Sequence, residues 1–224
     1  MPEPLVSCIM PTCDRRSFIK AAIDCWRKQT YSNLQLVIID DGADRIRDLI
    51  PPDPRIIYVE MADRVSTGRK RNLCCEAAGG EIICHFDDDD WCDSRRIEKQ
   101  VELLRESGQP VTGYSNIFYW NILSQEARLY AAQVKGYVCG GTLCYLKSWW
   151  KSHSFPDKQK ASDNRVIYQN LKDIAACNDL GMYVARAHNS NVGGDKRSIG
   201  QLTSRDKLPA AFWENEALRL SCQQ

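Results

Sequence analysis

Three short stretches of this chain are apolar at nearly every position and stop abruptly at polar residues. They are LVSCIM at 5–10, halted by Pro11; LQLVII at 34–39, halted by Asp40-Asp41-Gly42; and EIICHF at 81–86, halted by four aspartates, Asp87–Asp90. A strand with one wet face alternates apolar and polar residues, whereas a near-continuous apolar run is buried on both faces. The segments between the runs carry the helical period. Phe18, Ile19, Ala22, Ile23 and Trp26 share one helical face, with Ser17 as the expected N-cap. Ser66 or Thr67 is expected to open a second helix that Gly79-Gly80 closes, and Asp93 or Ser94 a third running to about 105. With a further strand at 56–59, this alternation predicts an α/β fold: a mostly parallel central sheet with helices on both faces.

In such sheets ligands collect at the carboxyl ends of the strands. The prediction therefore brings three separated segments, 11–15, 40–41 and 87–90, to one crevice. The second half is less regular. Sheet segments are expected at 111–120 and 127–138, and 140–150 is expected to pass into an aromatic-rich helix. A helix is expected at 164–176, a last strand at 182–187, a glycine-punctuated basic loop at 189–200 and a closing helix at 209–220. At 224 residues the chain is long enough for one sizeable core. It reads as a single domain over 1–224, with a ligand-binding half at about 1–110, a more variable half at about 111–200, and a C-terminal helix at about 201–224.

Composition removes some partners. A net charge of +1 provides no global attraction to nucleic acid or acidic membranes. No run approaches the roughly 20 apolar residues of a membrane span, and the N-terminus lacks the basic region of a signal peptide. The 11 cysteines include no C-x-x-C pair of the kind zinc sites use. Reduced thiols and a cytoplasmic location are the expectation.

Four adjacent carboxylates after a buried strand repel one another unless a cation accompanies them. Oxygen-rich clusters suit hard divalent ions, and Mg²⁺ typically combines one or two carboxylates with water and phosphate oxygens. Mn²⁺ or Mg²⁺ with a phosphorylated ligand is the expected complement, and Arg64, Arg69, Lys70 and Arg71 could meet the phosphates.

The stretches VSCIMPTCDRRSFIKAAIDCWRKQTYSNLQLVIIDDG and GRKRNLCCEAAGGEIICHFDDDDW resemble the family 2 glycosyltransferases of the GT-A fold. That family's usual forms are near S-V-I-I-P-T-Y-N-R, then D-D-G-S, then A-R-N-x-G followed by D-x-D-D-W. The resemblance implies an inverting, metal-dependent transfer of a sugar from a nucleoside diphosphate sugar, UDP favoured, to an acceptor hydroxyl. It implies a nucleotide-sugar-binding set of Pro11, Thr12, Asp14, Arg15, Asp41, Arg71, Asp87 and Asp88, with Asp41 toward the base and Asp88 toward the ribose. Asp89 would hold the metal, and His188, in RAHNSN, would help it. Asp163, in KASDN, matches the family's general base. Gly193, Gly194, Lys196 and Arg197 could form a lid. Cys13, Asp14 and Ala43 depart from the usual tyrosine, asparagine and serine, and Asp88 replaces a small residue.

The acceptor stays open among glycan, protein, lipid carrier and modified nucleobase. Tyr145, Trp149 and Trp150 lie where an acceptor would be met, although aromatics at this density are more often core, and Gly140-Gly141 is the expected place where backbone approaches the sugar. Two other readings fit a similar crevice: a nucleotidyltransferase, which would usually carry a glycine-rich phosphate loop that PTCDRR is not, and a binding module without catalysis.

Overall fold

The computed structural model describes residues 3–191 and 199–222. In chain order the elements are β1 (Val6–Thr12), α1 (Arg16–Arg27), β2 (Leu34–Asp40), β3 (Ile56–Glu60), α2 (Thr67–Ala77), β4 (Ile82–His85), β5 (Trp91–Cys92) and α3 (Arg96–Ser107). They continue as β6 (Val111–Tyr114), β7 (Asn116–Asn121), β8 (Glu126–Ala131), β9 (Cys144–Leu146), α4 (Lys147–Trp150), α5 (Ser162–Gln169), β10 (Ile174–Cys177), β11 (Tyr183–Ala187), β12 (Gln201–Thr203) and α6 (Ala210–Ser221).

Among the described residues the main sheet runs β10-β6-β9-β4-β1-β2-β3. Every pairing in it is parallel except the two made by β9. Alternate residues of one strand serve two cores. Val6, Cys8 and Met10 join α1, α3 and α6 on one face, while Ile9 joins α2, α4 and α5 on the other. That two-sided burial is why the strands read as unbroken apolar runs. β1 also continues through Pro11, which pairs in register with Ile39. Ile9 faces β4, accepting from Phe86 N–H, so Pro11 two residues on faces the same side. Because β4 ends at His85, the proline's missing donor costs nothing there.

A second sheet, β12-β8-β7-β11-β5, lies beside the first, and a single residue, Ser115, carries the chain from β6 into β7. β5 follows the four aspartates directly and pairs antiparallel with β11. The acidic segment is thus strung between the sheets.

Several boundaries differ from expectation. α1 begins at Arg16 without a side-chain cap, so Ser17 lies inside it. Ser66 does cap α2, accepting from Arg69 N–H, but α2 closes on Ala78 in extended conformation, and Gly79-Gly80 is not its cap. Gly80 is instead pressed against β1, where a Cβ would meet Leu5 O and Ser7. α3 has Arg95 as N-cap, and Asp93 makes only the preceding turn by accepting from Arg95 N–H. The stretch 140–150 does pass into a helix carrying Trp149 and Trp150, but that helix, α4, is only Lys147–Trp150, and β9 precedes it. The helix at 164–176 ends at Gln169 and becomes β10, and β11 is followed by β12.

Candidate active site

The strand ends, the head of α5 and the small sheet enclose a cleft of about 560 Å³. Pro11, Thr12, Asp14, Arg15, Arg71, Asp87, Asp88, Asp89 and Asp163 line it; Asp41 and His188 stand one layer behind.

Each aspartate of the segment 87–90 has a different environment. Asp87 meets the Arg71 guanidinium at 3.2 Å. Asp88 is buried, and burial pushes its carboxyl up to about 7 against the pull of Arg15. Arg15 cannot do more because it is committed to Asp89 at 2.6 Å and stands 3.9 Å from Asp88. Asp88 Oδ2 and Thr12 Oγ1 are buried polar atoms without a hydrogen bond of full geometry. Asp90 also borders the cleft and holds the turn, accepting from Tyr183 Oη at 2.6 Å and Arg186 N–H at 2.8 Å.

Asp89 Oδ2 also lies 3.0 Å from His188 Nε2. Donor atoms that close suit neighbouring corners of the octahedron around Mg²⁺ or a similar ion, whose ligand distances are about 2.1 Å. The pair therefore fits a divalent cation as two protein ligands, leaving further corners to water and phosphate. Among the described residues no third His, Cys, Asp or Glu joins them. Arg15 Nη1 touches both atoms, Asp89 at 2.6 Å and His188 at 3.2 Å, and Nη2 donates to Ser190 O. The guanidinium thus supplies the local positive charge. Burial disfavours that charge, but Asp88 and Asp89 outweigh it and raise the Arg15 pKa.

Opposite this rim stands Asp163 in the first turn of α5. Its Oδ1 accepts from Asn164 N–H at 3.0 Å, and its Oδ2 lies 3.5 Å from Arg71 Nη1. Arg71 is 6% exposed and bridges Asp87 and Asp163, which hold it charged despite its burial. Gly140 makes room for the Asp163 carboxylate, since a Cβ there would overlap Oδ2. A Cβ on Gly141 would meet the Tyr183 hydroxyl and come within 2.9 Å of Asp87 Oδ2.

Other residues singled out by the sequence take different places. Lys70 is buried in an ion pair with Asp41, whose second oxygen accepts from Val65 N–H, so the pair braces the cleft edge. Arg69 points outward toward Glu76, while Arg64 lines the cleft. Asp14 has φ of 53° and accepts from Asp44 N–H. Tyr145, Trp149 and Trp150 are not an acceptor platform: Tyr145 is fully buried, and the indoles donate to Asp173 and Asn72. The aromatic wall of the cleft is instead Tyr119, Tyr130, Tyr137 and Tyr183, carried by the second sheet and its connections. Alternation along its strand is a signal that could flag Tyr119; nothing local marks the rest, nor His85, buried below Gly140. The lid residues 193, 194, 196 and 197 lie outside the described residues.

Residues 7–178 match the Glycosyl transferase family 2 model. The chain belongs to that family. It is 26% identical over 140 residues to an uncharacterized glycosyltransferase of Haemophilus influenzae, covering 60% of this chain and 56% of the relative. It is 31% identical over 107 residues to the Escherichia coli UDP-Glc:alpha-D-GlcNAc-diphosphoundecaprenol beta-1,3-glucosyltransferase WfgD, covering 46% and 42%. The alignments thus span about half the length of these relatives. Among solved structures, Staphylococcus aureus TarS 1-349 in complex with UDP superposes with a TM-score of 0.68 at 16% identity, covering 97% of this chain and 65% of that one. The Pyrobaculum calidifontis mannosyltransferase PcManGT, in complex with GDP-Man and Mn²⁺, gives 0.67 at 15% identity, covering 85% and 59%. The fold is the GT-A fold. Among the described residues no helix is long and apolar enough to cross a membrane.

Proposed function

We propose that this chain transfers a sugar from a nucleoside diphosphate sugar, with UDP as the favoured nucleotide, to an acceptor hydroxyl with inversion at the anomeric carbon. The observation that carries the reading is the Arg71 bridge. One buried guanidinium lies between Asp163 and Asp87, so the Asp163 carboxylate stands at a fixed place beside the acidic rim, in a cleft of sugar-nucleotide size. Neighbours crystallised with UDP and with GDP-Man and Mn²⁺ support the donor class.

In this reading Pro11, Thr12 and Asp14 border the nucleoside, and Asp41 acts from below by holding Lys70 and the 65 backbone in place. Thr12 Oγ1 and Asp88 Oδ2, neither in a hydrogen bond of full geometry, are left to take ribose hydroxyls. Asp89 and His188 would hold the divalent cation, which as a Lewis acid stabilises charge on the departing diphosphate. With a cation held there, the Arg15 guanidinium would be available to the phosphate oxygens. Asp163 accepts the acceptor hydroxyl's proton as that oxygen bonds to the anomeric carbon and the carbon–phosphate-oxygen bond breaks. Arg71 orients the carboxylate, and Gly140 permits its approach. The tyrosine wall excludes water and offers faces to an acceptor, whose identity among glycan, protein, lipid carrier and nucleobase the site leaves open.

A thermal-shift series with UDP-, GDP- and other nucleoside diphosphate sugars, with and without Mn²⁺, tests the donor. A bound donor stabilises the fold, by about 2.7 kcal/mol at a hundredfold excess over Kd. Stabilisation by none of them would remove the reading. For whichever donor binds, Asp163→Asn should lower nucleotide release by about a hundredfold or more while leaving donor binding intact. Undiminished release would show that Asp163 is not the base.

A further inference from the structure

His85 is fully buried at the end of β4, two residues before the acidic rim. Its Nδ1 lies 2.8 Å from Gly140 O and its Nε2 3.2 Å from Tyr145 Oη, which in turn lies 3.3 Å from Cys75 Sγ. Phe155 and Tyr145 pack against the ring at centroid distances of 5.3 and 5.6 Å. A carbonyl only accepts, so Nδ1 carries the hydrogen. Burial, reinforced by Arg71, pushes the imidazole down to about 3 and keeps it neutral, so Nε2 accepts from the tyrosine. The chain of donors therefore has one direction: Tyr145 hydroxyl to His85, and His85 to the Gly140 carbonyl.

Gly140 is also the residue whose bare Cα lets Asp163 in, and the next carbonyl, Gly141 O, accepts from Arg96 at 3.2 Å. The two glycine carbonyls are thus pinned from below while their other side meets Asp163 and Asp87. A residue of ordinary core chemistry would fill the space at 85 without reaching Gly140.

We propose that His85 is a positioning residue: its Nδ1–H fixes the Gly140-Gly141 backbone, and that backbone sets where the Asp163 carboxylate stands relative to the donor. The inference rests on Asp163 acting as the base. The Gly140 carbonyl also accepts from Leu143 N–H at 3.3 Å, so His85 Nδ1–H is the side-chain half of a two-point tether. A shift of a reacting group by about 1 Å can cost a hundredfold in rate, so loosening that tether should reach turnover.

The test compares His85→Phe, His85→Asn and Tyr145→Phe by nucleotide release from the donor selected above, for example UDP-GlcNAc, and by hydrogen exchange of residues 139–142. His85→Phe should lower kcat about tenfold or more, change KM for the donor by about twofold or less, and speed exchange of the segment. Asn can present its amide N–H where Nδ1 stood, so His85→Asn should return both readouts toward the parent. Tyr145→Phe keeps the bond to Gly140, so kcat should stay within about threefold of the parent. If His85→Phe does not fold, its combination with Tyr145→Phe removes the orphaned hydroxyl and is measured in its place. An unchanged kcat in the Phe variant, or an Asn variant as slow as the Phe variant, overturns the proposal. Retained turnover in Asp163→Asn refutes the base itself and is seen separately, whereas the exchange result depends on neither donor nor base.

Discussion

Arg15 is the residue on which the charge of the cleft turns. It is 8% exposed and bonded to Asp89, His188 and the Ser190 carbonyl, so the free protein already holds a cation where a metal would bind. Removing it should open two ligand atoms at once. Arg15→Met is expected to tighten Mn²⁺ binding without nucleotide by about tenfold, one order for the loss of a competing charge. Electron paramagnetic resonance titration measures this, and an unchanged or weaker affinity would show that Arg15 does not compete. Asp88 carries the opposite imbalance, its carboxyl raised to about 7 by burial. A raised acid binds its proton more tightly folded than unfolded, so its stabilising contribution is full below about pH 4 and is lost as pH climbs through about 7. Asp88→Asn removes that loss. The gain in urea midpoint over the parent should be larger at pH 8 than at pH 5; an equal gain at both would place the ionisation elsewhere. The fourfold aspartate run raises the expectation of a cation, but which carboxylate meets Arg15 and which meets Tyr183 depends on β5 and β11, far apart in the chain.

At the level of elements, the head of α5 concentrates conformational strain beside Asp163. Ala161, its N-cap, has φ of 56° and ψ of 27°, the left-handed region, in which L-residues with a Cβ are penalised by roughly 1–2 kcal/mol. Ala161→Gly should therefore raise stability by about 0.5–1 kcal/mol, the relief exceeding glycine's entropic cost. Urea unfolding checks it, and a lower midpoint would mean the alanine methyl packs favourably. Elements of the first half are legible because the central strands lie between two cores, α1 shows one apolar face, and α2, which buries Lys70 and Arg71 beside Cys74 and Cys75, is announced by its Ser66 cap. β1, β2, β3, β4, α1 and α2 all fall within a few residues of expectation. The second half is not legible for a physical reason. β9 is three residues long and β10 is Ile-Ala-Ala-Cys, a sequence content with either helix or strand. Pairing with β4 and β6 decides β9 and pairing with β6 decides β10, and pairing across the fold leaves no local mark. The aromatics divide in the same way: Trp149 and Trp150, readable from sequence as either core or acceptor wall, turn out to be core with their indole N–H groups bonded to Asp173 and Asn72, and tyrosines from β7 and β8 line the cleft.

Across the whole molecule, the C-terminal helix is wired to the acidic rim through one buried arginine. Arg186 on β11 donates to Glu216 at 2.7 Å and to Asn215 at 2.8 Å on α6, and its Nη1 reaches the Asp89 carbonyl at 3.2 Å. Glu216 also pairs with Arg219 at 2.6 Å, and Asn215 donates to Ala21 O on α1 at 2.9 Å. α6 thus closes a ring that runs from α1 through itself to β11 and on to the rim backbone. Burial alone would raise the Glu216 carboxyl; Arg219 and Arg186 more than offset it and hold it below the usual range. Breaking a buried ion pair from one side leaves the remaining charges uncompensated, at a cost of about 3–5 kcal/mol. Glu216→Ala should lower unfolding free energy by that amount, because two buried guanidinium groups lose their counter-charge. The rim should respond as well, since Arg186 is then free to leave Asp89 O. In folded Glu216→Ala protein, donor affinity should fall although Glu216 lies outside the cleft. Glu216→Gln, which keeps the acceptor oxygen, should lose less of both quantities. A loss of stability with donor affinity unchanged, read by urea unfolding and calorimetric titration of the same preparation, would confine the network to holding α6 in place and sever it from the site.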